Sequence, residues 1–171
     1  MKKNEPLIIL GVDPGSIHLG YGVVCLNGQQ VEYVAHGVIS NPKLDPNQRL
    51  AFIRAELDLV VEKFKPNMAS VEKVFLGKNP QSVFRLGLAR GVALACIAKQ
   101  STEIFEYSPT QMKKTITGTG HADKPTVARA VKNLLKLKID LEFDAADALG
   151  LAYMHARAYS AKIQLSQLIR L

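Results

Sequence analysis

The stretch "IILGVDPGSIHLGYGVV", residues 8–24, runs apolar into one carboxylate, turns through Pro14, Gly15 and Ser16, and becomes apolar again. A strand composed for a core but ending on Asp13 poses a physical question, because a buried carboxylate without a partner is costly. Asp13 caps its own turn, borders a phosphate-binding turn, or holds a metal ion. Leu7 to Asp13, Gly20 to Leu26 and roughly Val31 to Ile39 all read as strands, rich in Val, Ile and Tyr. Asn27–Gly28 between the second and third is a tight-hairpin signal, so the three form an antiparallel meander.

Farther along, helices and strands alternate. Leu50, Ile53, Leu57, Val60, Val61 and Phe64 recur at helical spacing, and Pro66 stops that helix near Lys65. "MASVEKVF" (68–75) is a fourth strand with Glu72 near its end. Asn79 caps a helix with Pro80 in its first turn, running to about Lys99. "EIFEY" (103–107) is a fifth strand. Two more helices are expected, from Asp123 to about Leu137 and from about Phe143 to Ala158. Strand meander first, alternation afterwards, indicates an α/β fold with a mixed sheet flanked by helices. No repeat or linker divides the chain, so residues 1–171 are expected to form one domain.

The composition is ordinary for a globular protein, 47% hydrophobic and 22% charged, but the formal net charge is +7. Such an excess favours an anionic partner, nucleic acid first and an anionic membrane surface second. No apolar run is expected to approach the ~20 residues that cross a bilayer. Cys25 and Cys96 stand in apolar contexts without a C-x-x-C partner and read as small buried hydrophobes. A cytoplasmic location is expected.

Most acidic residues lie on polar helix faces. Asp13 and Glu72 differ in ending strands, and "DAADALG" (144–150) sets Asp144 and Asp147 three residues apart on one helix face. If the first and fourth strands are neighbours, Asp13 and Glu72 approach one another, and the last helix can bring the other two to the same place. Two unit charges about 6 Å apart repel by roughly 3 kcal/mol at an effective dielectric near 20. Four such groups together need protons or cations. Oxygen donors without His or Cys suit Mg²⁺ or Mn²⁺, and a pair of such ions suits phosphodiester hydrolysis.

"GVDPGS…GYGVV", "VEKVF", "GLARGVAL", "TGTGHADK" and "DAADALG" occur in the order and spacing of the bacterial Holliday-junction resolvases of the RuvC type, and from Leu7 to about His155 the chain resembles that family. The resemblance implies a ribonuclease H-like fold with a mixed five-stranded sheet. It implies a homodimeric Mg²⁺-dependent endonuclease, with two ions per subunit for which Mn²⁺ can substitute. The substrate would be four-way junction DNA in recombination and repair, and the partner a RuvA–RuvB-type branch-migration complex. By the same resemblance the catalytic, metal-holding carboxylates are Asp13, Glu72, Asp144 and Asp147. Lys113 and Lys124 contact the scissile strand and assist catalysis, and Phe75 wedges into the junction centre. Lys78 in the basic loop after Phe75, and Lys114 beside Lys113, are expected to contact DNA. Gly87, Gly91 and Ala95 make a smooth helical strip that either packs on the protein's own sheet or meets a second subunit; the resemblance favours the latter. The chain departs from the family pattern at Ile17, His18 and Leu19, where Arg and Thr are common, and at Lys73, where Gln is common.

Two other readings fit parts of the pattern. A sugar-kinase-like ATPase also ends its first hairpin on an Asp, but needs a second similar domain. A non-catalytic junction-binding protein has no need of four carboxylates.

Overall fold

A computed structural model describes residues 5–74, 79–100 and 102–168, without the side chains of 167 and 168. Three strands, β1 (Leu7–Asp13), β2 (His18–Asn27) and β3 (Gln30–Ser40), form the expected meander. Gly28 turns the β2–β3 hairpin at φ 60°, a conformation that costs glycine little. After helix α1 (Pro46–Phe64) come β4 (Met68–Glu72), α2 (Pro80–Ala98) and β5 (Glu103–Tyr107), then helices α3 (Pro109–Thr117), α4 (Lys124–Leu134) and α5 (Phe143–Leu168). The sheet order is β3-β2-β1-β4-β5. β1 pairs antiparallel with β2 and parallel with β4, and β4 pairs parallel with β5.

Alternation along the strands divides the core in two. Leu10, Val12, Val23, Ala69 and Val71 face α1 and α2, through Ile53, Leu57, Val61, Ala89, Ala93 and Ile97. Leu7, Ile9, Val24, Leu26 and Met68 face the other way, toward Met112, Val127, Val131, Leu149, Leu151 and Ala152 on α3, α4 and α5. Period two therefore puts Gly11 and Asp13 of β1, with Glu72 of β4, on the α5 side.

α5 lies against that face at backbone contact distance. A Cβ added at Gly11 would stand 1.9 Å from the Ala148 carbonyl oxygen, and one at Gly20 would stand 2.0 Å from that of Asp144. A Cβ at Gly22 would meet the Leu149 nitrogen at 2.6 Å. α5 is buried from Ala145 to Ala152 on every side, between the sheet and the α3–α4 pair. That explains why its sequence shows no amphipathic period.

The structure corrects the sequence reading in several places. A helix was not expected at Pro109–Thr117, yet Ser108 and Gln111 form a reciprocal capping box: the Gln111 N–H donates to Ser108 Oγ at 3.1 Å and the Ser108 N–H to Gln111 Oε1 at 2.9 Å. α5 continues ten residues past the expected end at Ala158, to Leu168. α4 ends at Leu134 rather than near Leu137, and Cys25 is only partly buried. α2, at 19 residues and a mean hydropathy of 1.3, is long and apolar enough to cross a membrane by length and composition, which the sequence reading had not expected. Its Ala89, Ala93, Cys96 and Ile97 are nevertheless built into the core.

The opposite side of α2 is bare. Phe84 is 68% and Leu88 42% exposed, Gly87, Gly91 and Ala95 are exposed, and a Cβ at Gly87 or Gly91 meets nothing within 4 Å. This strip does not pack on the protein's own sheet.

Since the α5 contact leaves no room for a methyl group, Gly11→Ala should destabilise the chain by about 3 kcal/mol, measured by urea unfolding. A loss under about 1 kcal/mol would mean that α5 can retreat from the sheet without consequence.

Candidate active site

Asp13 and Glu72 sit at the carboxyl ends of two adjacent parallel strands, where the register pairs Val12 with Val71 one residue earlier. In open α/β sheets such strand ends border the ligand crevice. α5 delivers the other two carboxylates. Asp144 lies in its first turn, and Asp147, only 7% exposed, lies one turn on. The Ala146 N–H donates to the Glu142 carbonyl at 2.8 Å, so the helical hydrogen bonding starts ahead of Asp144. That carboxylate is free for another partner, and Lys124, first residue of α4, donates to its Oδ1 at 2.9 Å.

The four groups feel one another. Burial first, then the charges of Glu72, Asp147 and Asp144, push the Asp13 carboxyl up to about 8. Burial and the Asp147 charge also raise Glu72, while a hydrogen bond with Asp13 and the charges of Lys113 and Lys124 draw it down. Burial raises Asp147 against the pull of the same two lysines. The hydrogen bond to Asp144 holds the Lys124 ammonium above its ordinary range. Lys113, on α3, thus acts on the site through its charge; Lys114, next in that helix, is exposed. Asp13 and Glu72 share a hydrogen bond that requires a proton on one of them.

The donor set fits a hard divalent cation. All its ligating atoms are oxygens, negative charge is in excess, and Asp147 Oδ1 is buried with no hydrogen-bond partner. Among the described residues no three Asp, Glu, His or Cys side chains already form a finished cage. The carboxylates interact through space without converging on a point, and Lys124 occupies one oxygen of Asp144. A groove of about 230 Å³ opens beside Asp13 and Glu72, between Lys73, Leu86 and Pro109. Lys73 stands exposed on that groove, with its N–H donating to the Tyr107 carbonyl at 2.8 Å. Phe75 and Lys78 lie outside the described residues.

Sequence reading missed three supports of the site. The Arg49 guanidinium donates to the carbonyls of Ser16, Asn41, Pro42 and Leu44, tying the turn after Asp13 to the segment that enters α1. Arg90 Nε donates to the Glu72 carbonyl at 3.4 Å while its Nη2 pairs with Glu106, fixing the end of β4 to α2. Behind Glu72, the Tyr107 hydroxyl bonds His155 Nδ1 at 2.7 Å, and the buried imidazole stacks on Phe105 with ring centroids 4.1 Å apart. Burial pushes His155 down to about 4, so it is a neutral brace between β5 and α5. Only tertiary structure reveals these links; on the helix periods Arg49 and Arg90 read as ordinary polar positions.

The folded chain holds protons on Asp13 and Glu72 at pH values where the unfolded chain has released them, so it binds more protons in that interval and its stability falls as pH rises. In EDTA the melting temperature should therefore drop from about pH 7 through about pH 8, above the range in which protonation of His155 in the unfolded chain opposes the trend. Asp13→Asn should flatten the slope and melt higher than wild type at the alkaline end. A wild-type melting temperature that rises across the interval contradicts this electrostatic account.

Comparison with known proteins gives a consistent result. The family model described as Crossover junction endodeoxyribonuclease RuvC matches residues 9–155. The Serratia proteamaculans protein of that name is 42% identical over 160 residues, 94% of this chain and 92% of its own. The Histophilus somni protein is 43% identical over 162 residues, 95% and 86% of the two chains. Among solved structures, T. thermophilus RuvC in complex with Holliday junction substrate matches with a TM-score of 0.82 at 30% identity, over 91% of this chain and 96% of that one.

Proposed function

The chain belongs to the RuvC family of crossover junction endodeoxyribonucleases, and we propose that it resolves Holliday junctions by paired symmetric nicks, through Asp13, Glu72, Asp144 and Asp147 acting with divalent cations. The observation that carries this reading is the meeting of four carboxylates on one face of the sheet, with Asp13 raised to about 8 and one buried oxygen of Asp147 unpartnered. Among the described residues, Lys124 and Lys113 are the basic side chains whose charge draws the Asp147 carboxyl down.

The four carboxylates would hold two Mg²⁺ ions, with Mn²⁺ able to replace them. When bound, such ions supply the Lewis acidity that activates water for attack on phosphorus and stabilises the leaving 3′ oxygen. Asp13 and Glu72, on rigid adjacent strands, fix one side of the site; Asp144 and Asp147 complete it from the helix. With cations bound, Asp13 would be held as the carboxylate, since its charged form would then have a partner. Lys124, released from Asp144, and Lys113 place positive charge beside the scissile phosphate and stabilise charge that develops there. Lys114, Lys78 and the +7 net charge serve DNA attraction. Phe75 is assigned the wedge at the junction centre. We place the protein with chromosomal DNA in the cytoplasm, handing over from a RuvA–RuvB-type complex in recombination and repair.

The bare strip of α2 supports a homodimer. Phe84, Leu88, Gly91 and Ala95 share one face, and the absence of side chains at Gly87 and Gly91 lets a partner helix approach closely. Two copies related by a two-fold axis would set two sites against opposed strands of a four-way junction. Gly91→Arg starts from an exposed position where an added Cβ meets nothing within 4 Å. It should therefore keep the melting curve cooperative but sediment as a monomer at micromolar concentration; a wild type that is itself monomeric overturns the dimer.

On a four-way junction with Mg²⁺, wild type should cut two opposed strands, and EDTA should abolish cutting. Asp144→Asn should bind the junction with affinity within about threefold of wild type and cleave it at least about 10²-fold more slowly. Cleavage that survives both EDTA and the substitution contradicts the assignment.

A further inference from the structure

The carboxylates have a second hollow beside them, on the side away from the Asp13–Glu72 groove. It is a surface pocket of about 450 Å³ between His18 and Phe143, shared at its edge by Asp144 and Lys124. We propose that this pocket is a nucleobase subsite, which takes the base next to the scissile phosphate on the strand being cut. The proposal rests on the nuclease reading above and adds to it a determinant of which junction sequences are cut.

The pocket is polarised as a nucleotide is. Val38, Leu141 and the Phe143 ring give it apolar surface, and Lys124 supplies the cation where it adjoins the reaction carboxylates. A nucleotide with its phosphate at Lys124 and the carboxylate site would direct its base toward Phe143. Phe143 is the first residue of α5, 46% exposed, and precedes Asp144 directly. Ring and proposed reaction centre are therefore fixed by the same helical turn. An exposed aromatic face in that position suits stacking, which works with any base and needs no hydrogen-bond readout.

Selection among bases would come from the rim. His18 can donate or accept and Glu142 accepts when ionised; both line the pocket. His18 belongs to β2 and Val38 to the adjoining β3, whose register pairs His18 with Ser40 and Gly20 with Val38. That side of the pocket is thus part of the sheet, and Leu141 and Glu142 belong to the segment that leads into α5.

The test uses the full chain and a set of four-way junctions that differ only in the base immediately 5′ or 3′ of the cut. Wild type should show a preference at one of those positions. Phe143→Ala should lower kcat/KM on the preferred junction about 5- to 150-fold, the range of one lost base stack, and level the preference there. Phe143→Tyr should retain both. With 2-aminopurine at that position and Ca²⁺ in place of Mg²⁺ to hold the complex uncut, wild type should quench the fluorescence and Phe143→Ala should restore it. An unchanged melting temperature would separate these effects from misfolding. A wild type that cuts no junction overturns the nuclease reading. A wild type that cuts junctions without preference at these bases, or whose preference and quenching survive Phe143→Ala, overturns the subsite alone.

Discussion

Backbone contact between α5 and the β1–β2 hairpin is the constraint from which the site follows. Gly11, Gly20 and Gly22 remove the side chains that would hold a helix at ordinary packing distance, and the carbonyls of Asp144 and Ala148 occupy the space. Ala145, Ala148 and Ala152 keep the helix side of the contact equally thin. Because the approach is limited by backbone, it cannot be repacked by changing rotamers. The first turn of α5 is fixed over the ends of β1 and β4, and with it Asp144 and Asp147.

That rigidity has an electrostatic cost. Carboxylates brought together in a half-buried place resist ionisation, and Asp13, surrounded by the other three, resists most. Lys113 and Lys124 offset part of the charge, and the Asp13–Glu72 hydrogen bond offsets more by retaining a proton. The supports at Arg49, Arg90 and the Tyr107–His155 pair then have a clear purpose. Each secures a strand end or turn beside a group whose neighbours repel it. Whatever neutralises the cluster, a proton or a cation, relieves the repulsion and is favoured by the stability forgone in the free chain.

Much of this was legible in the sequence because it depends on local rules. Asn-Gly marked the hairpin, Pro66 and Asn79–Pro80 bounded helices, and the apolar run into Asp13 marked a core strand that ends on a carboxylate. The resemblance to the resolvase family then named the four carboxylates together. α3 was missed because nine residues carry barely two turns of apolar period, although Ser108-Pro109-Thr110-Gln111 held a capping signal. The end of α5 was missed because residues 159–166 are mostly solvent-exposed, so burial gives them little pattern. The glycine contact could be suspected but not located, since nothing in "GVDPGS…GYGVV" states which helix lies against it. Arg49 and His155 act only through residues distant in sequence, and Phe143 draws meaning from a pocket that β2, β3 and α5 build jointly.

The central claim is that the carboxylate cluster keeps a proton until cations replace it. Calorimetric titration of Mn²⁺ into the DNA-free protein near pH 7, repeated in buffers of different ionisation enthalpy, measures that exchange directly. The account predicts saturable binding with release of about one proton per site, and Asp13→Asn binding more weakly with no release. Binding that is as tight in Asp13→Asn as in wild type, or that releases no proton in either, would contradict it.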